Sequence, residues 1–248
     1  MTDVDFDVAV IGGGVAGLSA SIFTARHDLE TVVLDAGGSI LRRNAHLENY
    51  PGYPAGVNSR LLLDAMAEQA ERAGVNIEQA VVEDLDRTNE EFLLTSADGA
   101  SWRSGYVIAA TKNETGYLNG IEGVDLLDRG KTFVDVDARG RTGVEGLYAA
   151  GRMTRKPHQA IVAAGHGAEV AIALLEDAGV PFYHDWVAPD GYFTGRGRDV
   201  PPGIEEIDEE ERRAREAASL DWFGETAKTP HPETPEQHPD VAEQQERT

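Results

Sequence analysis

The chain has 248 residues, with 22 Lys and Arg against 44 Asp and Glu, a formal net charge of −22, and no cysteine. That length supplies one or two domains with a real core. The charge excludes nonspecific binding to nucleic acid, and the missing thiol excludes an internal disulfide, a thiolate nucleophile, an Fe–S cluster or a Cys-based zinc site.

Residues 5–11 (DFDVAVI) form a β-branched apolar run that ends in GGGVAG, the pattern of a buried strand entering a tight turn. Helical spacing follows over 15–27, and TVVLD (31–35) predicts a second buried strand. The three together predict a βαβ unit, hence a parallel sheet with a right-handed crossover. Ser59 opens an amphipathic helix that Gly74 closes, and strands are predicted over 76–87 and 91–97. Asp98-Gly99 predicts a hairpin turn into ASWRSGYVIAA. Further strands are expected at 132–137 and in the apolar segment 146–151, then a helix over 159–179. From about residue 181 Pro, Gly and charged residues dominate, apart from a helical acidic run near 204–219. The last stretch, 228–248, has the composition of a disordered tail.

The expected architecture is α/β: a single Rossmann-type domain over 1–180 with a parallel sheet, an inserted antiparallel β-meander at about 76–108, and an acidic extension over 181–248. The N-terminal MTDVDFD lacks the basic region of a secretory signal. The apolar stretches near 8–22 and 160–175 are interrupted by glycines or by His166 and Glu169, so no membrane span is expected. A soluble, cytoplasmic protein is the expectation.

The acidic excess is spread along the chain, which reads as adaptation to a halophilic, haloarchaeal host. Such a charge repels itself, and molar salt shortens the range of that repulsion to about 3 Å. The thermal midpoint is therefore expected to rise between low salt and molar KCl; a flat or falling midpoint would contradict this account.

Chemistry concentrates in Gly12-x-Gly14-x-x-Gly17, placed between a predicted strand and helix, with Asp35 ending the next strand. Gly12 allows the tight turn, Gly14 lets a pyrophosphate reach the backbone, and Gly17 lets the helix pack close to the sheet. Free N–H groups and the helix dipole hold phosphates. An acid at position 35 accepts hydrogen bonds from both hydroxyls of an adenosine ribose and disfavours a 2′-phosphate. These residues point to FAD or NAD rather than NADP.

Two later segments carry a resemblance. GGSILRRNAHLENYPGYPAG (37–56) is similar to the segment after the ribose acid in the thioredoxin reductase family of flavoproteins. TGVEGLYAAGRMTRKPHQAIVAAGHGAEVAIALL (142–175) resembles that family's second FAD motif. The likeness covers roughly 5–111 and 132–178 and implies FAD as the cofactor. It implies that Gly12, Gly13, Gly14, Val15, Ala16 and Gly17 hold the diphosphate and that Asp35 and Ala36 meet the ribose. Gly37, Gly38 and Ile40 would line the cofactor's middle and Val82 the adenine, with Ala110, Gly151 and Arg152 also at the cofactor. Gln159 and Ala160 would lie at the flavin's pyrimidine edge, where a helix N-terminus stabilises negative charge. A homodimer through the FAD domains is a further implication.

The sequence departs from that family in three places. Twenty residues (112–131) stand where the family inserts its NADPH domain, and a domain needs about 50 or more. The family's CxxC is absent with it. Arg152 replaces the Asp of the second motif: either its donor fork grips the pyrophosphate, or FAD binding is weakened. His158 is either a proton donor to substrate or flavin, or a loop residue bonded to a carbonyl. His166 reads as packing, and Lys112 stands at the family's glycine of ATG. Asn44, His46, Glu48 and Tyr50 lie on a loop within reach of the ring, and no group has metal-ligand spacing. The expected activity is FAD-dependent oxidoreduction. Electrons would come from a small-molecule or protein donor, with NAD(P)H only a transient one, and pass to an acceptor of either kind. The alternative is a non-catalytic FAD- or NAD-binding sensor or partner protein.

Overall fold

The computed structural model describes residues 4–88, 91–237 and 241. Strand β1 (Phe6–Ile11) leads through the glycine turn into α1 (Val15–Ala25) and β2 (Thr31–Asp35). After a 3-10 turn at Ile40–Arg43 come α2 (Ser59–Arg72) and β3 (Asn76–Gln79). Strands β4 (Val82–Thr88), β5 (Glu91–Ser96) and β6 (Ser101–Ala109) follow, then the short β7 (Leu126–Asp128), β8 (Thr132–Val134) and β9 (Leu147–Ala149), and α3 (Ala160–Asp177). The last elements are β10 (Trp186–Pro189), β11 (Ile204–Ile207) and α4 (Glu209–Thr226).

One seven-stranded mixed sheet runs β3-β2-β1-β6-β5-β4, with β9 also on β6. Strands β3, β2, β1, β6 and β9 are parallel, and β4–β5–β6 are antiparallel. The long β6 explains how both patterns share one sheet. Its first residues, Ser101–Ser104, pair with β5, and Val107–Ala109 pair with β9. The expected fold class therefore holds, with the refinement that the meander's last strand is itself a main-sheet strand.

Side-chain alternation along the parallel strands gives two buried faces. Ala9, Ile11, Val32, Leu34, Val107, Ala109, Leu147 and Ala149 join Leu85, Phe92, Leu94 and Trp102 in one core. On the other face Val10 meets α1, its Cγ1 lying 3.1 Å from where a Gly17 Cβ would sit. Asn58 caps α2 by accepting the Arg60 and Leu61 N–H groups.

Three expected elements change. The strand over 76–87 breaks at 80–81: β3 pairs with β2, whereas β4 turns away to β5 with a bulge between Val82 and Asp84. Residues 132–134 pair with β7 in a separate hairpin and not with the main sheet. The helix expected from 204 begins at Glu209, because Asp208 accepts the Glu211 N–H and fixes the cap there. Residues 204–207 form β11, parallel to β10.

Two compact units result, one of residues 1–174 and 233–248 and one of 175–232. In the first, Glu233 and Glu236 pair with Arg42 (2.9 Å) and Arg43 (3.2 Å), and the end of the expected tail, 238–240 and 242–248, lies outside the described residues. In the second, Glu206 accepts the N–H groups of Gly191, Phe193 and Thr194 and the Thr194 hydroxyl, closing the turn that places Tyr192 and Phe193 against Trp186. Helix α4 buries no residue and is laced by Glu209–Arg213, Arg212–Glu216 and Glu211–Arg215 pairs. No helix among the described residues is long and apolar enough to cross a membrane.

Candidate functional site

The strand order reverses between β1 and β6. From β1 the chain steps outward to β2 and β3, then returns to β6 on β1's other edge. Ligands of open α/β sheets bind in the crevice at the carboxyl ends of the strands at such a reversal. Three segments meet there: Gly12–Gly14 after β1, Ala110–Lys112 after β6, and Ala150–Arg152 after β9. The backbone ties them edge to edge, Ala110 N–H donating to Ile11 O and Ala150 N–H to Ala109 O, each at 2.8 Å.

The glycines are explained by what a Cβ would strike. At Gly12 (φ 111°) it would lie 2.8 Å from Ala110 O, and at Gly17 only 2.0 Å from Gly12 O. At Gly13 it would enter the Asp35 carboxyl at 2.5 Å. Gly13 N–H in turn donates to Asp35 Oδ1 at 3.1 Å, which holds the acid at the mouth of the turn. Gly14 differs. Its φ of −82° suits any residue, and an added Cβ would meet only Ser39 Oγ at 3.7 Å. Nothing among the described residues crowds that position, so glycine there leaves room for a group that approaches from outside.

Helix α1, begun by Val15 and Ala16, has neither a side-chain cap nor an acid in its first turn. Its leading N–H groups are available to an anion. Gly37 (φ 78°) and Gly38 have open space around them, and with Ala36 and Ile40 they lead from Asp35 past Ser39, the neighbour of Gly14. Ala80 N–H donates to Asp35 O at 3.0 Å, which brings Val82 to the same end of the sheet as the acid. This donor set fits a dinucleotide: uncapped helix N–H groups for a diphosphate, and a carboxylate beside them for a ribose. Among the described residues no group of His, Asp and Glu is arranged to hold a metal ion.

At the other end, Gly151 takes φ 72°, with Ala16 Cβ 2.7 Å from where its own Cβ would sit. Gly167 lets α3 come so near α1 that a Cβ there would fall 2.0 Å from Ala16 O. Gln159 and Ala160 begin α3, and Gln159 Oε1 accepts from Asn49 Nδ2 at 2.7 Å. That bond joins the loop 44–57, whose base is closed by mutual Leu47–Val57 bonds, to the start of α3. Within the loop His46 pairs with Glu48, and burial followed by the neighbouring Tyr53 raises the Tyr50 hydroxyl's pKa. Arg60, 2% exposed, donates from Nη1 to the carbonyls of Arg42 and Asn44 and so anchors the loop's start.

His158 Nε2 stands 3.3 Å from Arg152 Nη1. Partial burial, then Arg152, Lys112 and Lys131, push its pKa down. It is therefore a neutral imidazole whose Nε2 accepts from the guanidinium. Lys112, in a left-handed backbone (φ 66°), is pushed down by burial and then by Arg152, Arg43 and Lys131. His166 is not merely packing: it is 3% exposed and its Nδ1 accepts the Gly151 N–H at 2.9 Å. Sequence reasoning missed Asn49, Arg60 and Lys131. Asn49 lies inside the quoted ENYPG run, and an arginine on the apolar face of α2 was a visible anomaly, whereas nothing local marked Lys131.

Comparison with known proteins agrees with the fold. Residues 6–125 match the family model for pyridine nucleotide-disulphide oxidoreductases, a little under half of the chain. The chain is 33% identical over 135 residues to a thioredoxin reductase of Treponema pallidum, covering 53% of this chain and 43% of that protein. It is 32% identical over 113 residues to one of Rickettsia typhi, covering 45% and 36%. The chain thus spans well under half the length of these curated relatives. Among solved structures, a thioredoxin reductase from Gloeobacter violaceus superposes with a TM-score of 0.67 at 19% identity, covering 73% of this chain and 98% of that one. One from Streptococcus pyogenes gives 0.64 at 16%, covering 70% and 98%. The fold is the Rossmann-like α/β fold that these reductases share.

Proposed function

We propose that the chain is an FAD-dependent oxidoreductase. The observation that carries the reading is the meeting of Gly12–Gly14, Ala110–Lys112 and Gly151–Arg152 at the reversal of strand order, beside an uncapped helix and Asp35. The α1 N–H groups and Gly14 bind the diphosphate, and Asp35 accepts from the ribose. Gly37, Gly38 and Ile40 line the middle, Val82 meets the adenine, and the start of α3 at Gln159–Ala160 faces the flavin's pyrimidine edge, its orientation fixed by Asn49. Bound FAD supplies two-electron redox chemistry. The chain's share is to orient it and to offset negative charge through the α3 N-terminus and the nearby cations. His158, neutral and accepting from Arg152, carries its remaining proton on Nδ1 and is the candidate group to hydrogen-bond substrate or flavin there.

Electron supply follows from the connection between β6 and β9. Residues 112–131 make only a 3-10 turn, β7 and the turn that leads into β8, too little chain for a second nucleotide domain. The donor is therefore a carrier protein or a nicotinamide that docks transiently. The acceptor is a small molecule or a protein, and the assembly is a cytoplasmic homodimer.

Purification is expected to yield a yellow protein that releases non-covalent FAD on denaturation, identified by chromatography. Release of NAD, or a colourless protein that takes up no FAD, would overturn the proposal. The second reading, a flavin-binding sensor or partner protein, is favoured by one feature: Arg152 at the cofactor end of β9, already bonded to His158. A bound flavin that no donor but dithionite reduces would support that second reading.

A further inference from the structure

The chain leaves the first compact unit at Leu174 and rejoins it at Glu233, where it meets a turn 191 residues upstream. Glu233 Oε2 pairs with Arg42 Nη1 at 2.9 Å and Glu236 Oε2 with Arg43 Nε at 3.2 Å. Both arginines belong to the 3-10 turn Ile40–Arg43. Helix α2 holds the same turn by other bonds. Arg60, 2% exposed, donates from Nη1 to Arg42 O and Asn44 O, and Asp64 accepts from Arg42 Nη2 at 2.9 Å. Arg43 has no carboxylate on α2; among the described residues its ion pair is with Glu236 alone. Before the turn, Gly37 (φ 78°) and Gly38 have no heavy atom within 4 Å of where a Cβ would sit, so nothing packs on that face of the link.

We infer that residues 233–236 are a releasable latch on the turn Ile40–Arg43, which slows the opening of the span Gly37–Ile40 and with it the loss of the cofactor. The two holds on the turn differ in kind. Arg60 is buried, and breaking its bonds would strand a desolvated cation and two carbonyls, so it is a permanent anchor. The pairs to Glu233 and Glu236 are exposed, with those side chains 59% and 64% accessible. Pairs of that kind are weak and screened by salt, so they open and close without unfolding anything else. Tethering keeps the carboxylates at high local concentration, and weak contacts then suffice to hold the latch closed most of the time. In a chain of net charge −22 most of the surface repels an acidic segment, and two adjacent arginines select where it docks. With the latch released, Arg43 loses its carboxylate and the turn keeps only its anchor to α2. Gly37 and Gly38 are small residues able to absorb the dihedral changes of a hinge. Between that hinge and the Arg60 anchor lies Ile40, which the oxidoreductase reading places at the middle of FAD.

The effect on the cofactor rests on that reading, and the experiment keeps the two separable. Full-length protein as purified is compared with Glu233→Gln/Glu236→Gln in two measurements: the rate of FAD release, and hydrogen exchange of the Arg42 and Asn44 amides, which donate within the turn to Ser39 O and Leu41 O. The variant is expected to release FAD and to exchange these amides about fivefold faster, the worth of two exposed pairs. The ratio of variant to wild type should fall toward one between about 0.1 M and about 1 M KCl, as the Debye length shrinks from about 10 Å to about 3 Å. Because Arg43 depends on Glu236 alone, Arg43→Glu and Glu236→Arg should each release the latch, and the two together should restore the wild-type rates. Equal rates in the Gln variant, a ratio indifferent to salt, or a charge swap that restores nothing would overturn the latch. A wild-type protein that holds no FAD defeats the oxidoreductase reading alone, and amide exchange, judged by the same three comparisons, then still decides the latch. Faster exchange with unchanged FAD release would show that the tail holds the turn without guarding the cofactor, and would overturn the inference as stated.

Discussion

Gly14→Ala is expected to fold as well as the wild type and to lose most of its affinity for FAD, whereas Gly17→Ala is expected to lose stability. The two glycines belong to one motif and differ in what surrounds them. At Gly17 a methyl group would fall 2.0 Å from the carbonyl oxygen of Gly12, a backbone atom held between β1 and α1. Relief requires α1 to move off the sheet, and such overpacking costs about 1–3 kcal/mol or more. For a chain of this size that lowers the midpoint by roughly 2–4 °C per kcal/mol, so a fall of about 5–10 °C is expected. Gly167→Ala, with its Cβ 2.0 Å from Ala16 O, should behave in the same way.

At Gly14 the backbone is already in a region open to alanine, and the nearest atom is 3.7 Å away. Its midpoint without cofactor should change by about 1 °C or less. The added methyl instead occupies the approach to the α1 N–H groups, so a diphosphate loses its closest hydrogen bonds, a loss of about 3 kcal/mol or a hundredfold in affinity. Thermal melts of the cofactor-free proteins beside FAD titrations separate the two effects. If Gly14→Ala binds FAD like the wild type, the α1 N-terminus is not the diphosphate site.

The same contrast explains how much was legible in the sequence. The β1–turn–α1–β2 unit was readable because every residue in it answers a local demand: buried strands, a turn without side chains, an acid at a strand end. The second half of the site was readable only as a pattern, since 142–175 has helical and strand spacing but no local mark of what it faces. Contacts between distant segments were not readable. Asn49 meets Gln159 across 110 residues, and Asn113 meets Thr132 across 19. The fold errors have the same origin. An unbroken strand over 76–87 fits the local composition, but β2 offers partners only as far as Gln79, and beyond it the chain turns to β5. The start of α4 at Asp208 was locally marked by Asp208-x-x-Glu211, yet the acidic composition of 204–219 hid the boundary.

His166 was read as packing, and its chemistry yields the other large expected effect, a loss of stability in mild acid that one substitution removes. Because Nδ1 accepts the Gly151 N–H, the buried ring is neutral and carries its proton on Nε2, which has no partner among the described residues. Burial first, then the Lys156 cation against the opposing Glu169, push its pKa down to about 4. In the unfolded chain the ring titrates near 6.5. Above that value both states are neutral and the histidine imposes no penalty; as pH falls from about 6.5 toward 4 only the unfolded state gains the proton, and stability is lost. The total reaches about 3 kcal/mol, at up to about 1.4 kcal/mol per pH unit. Protonation of Nδ1 also breaks the bond to Gly151 and loosens the turn that carries Arg152. The carboxylates titrate in the lower part of the same window, where their neutralisation relieves self-repulsion, so the wild-type curve alone is not diagnostic. His166→Asn keeps an acceptor for the Gly151 N–H and removes the titration. Urea unfolding from pH 7 to pH 4.5 is expected to show the variant losing about 2 kcal/mol less than the wild type across that range. His166→Ala, by contrast, leaves the Gly151 N–H unsatisfied and should already lose about 1–3 kcal/mol at pH 7. Parallel pH curves for the wild type and His166→Asn would show that the ring is protonated as readily in the folded protein as in the unfolded one, and the turn at Gly151 would then owe its form to the αL glycine alone.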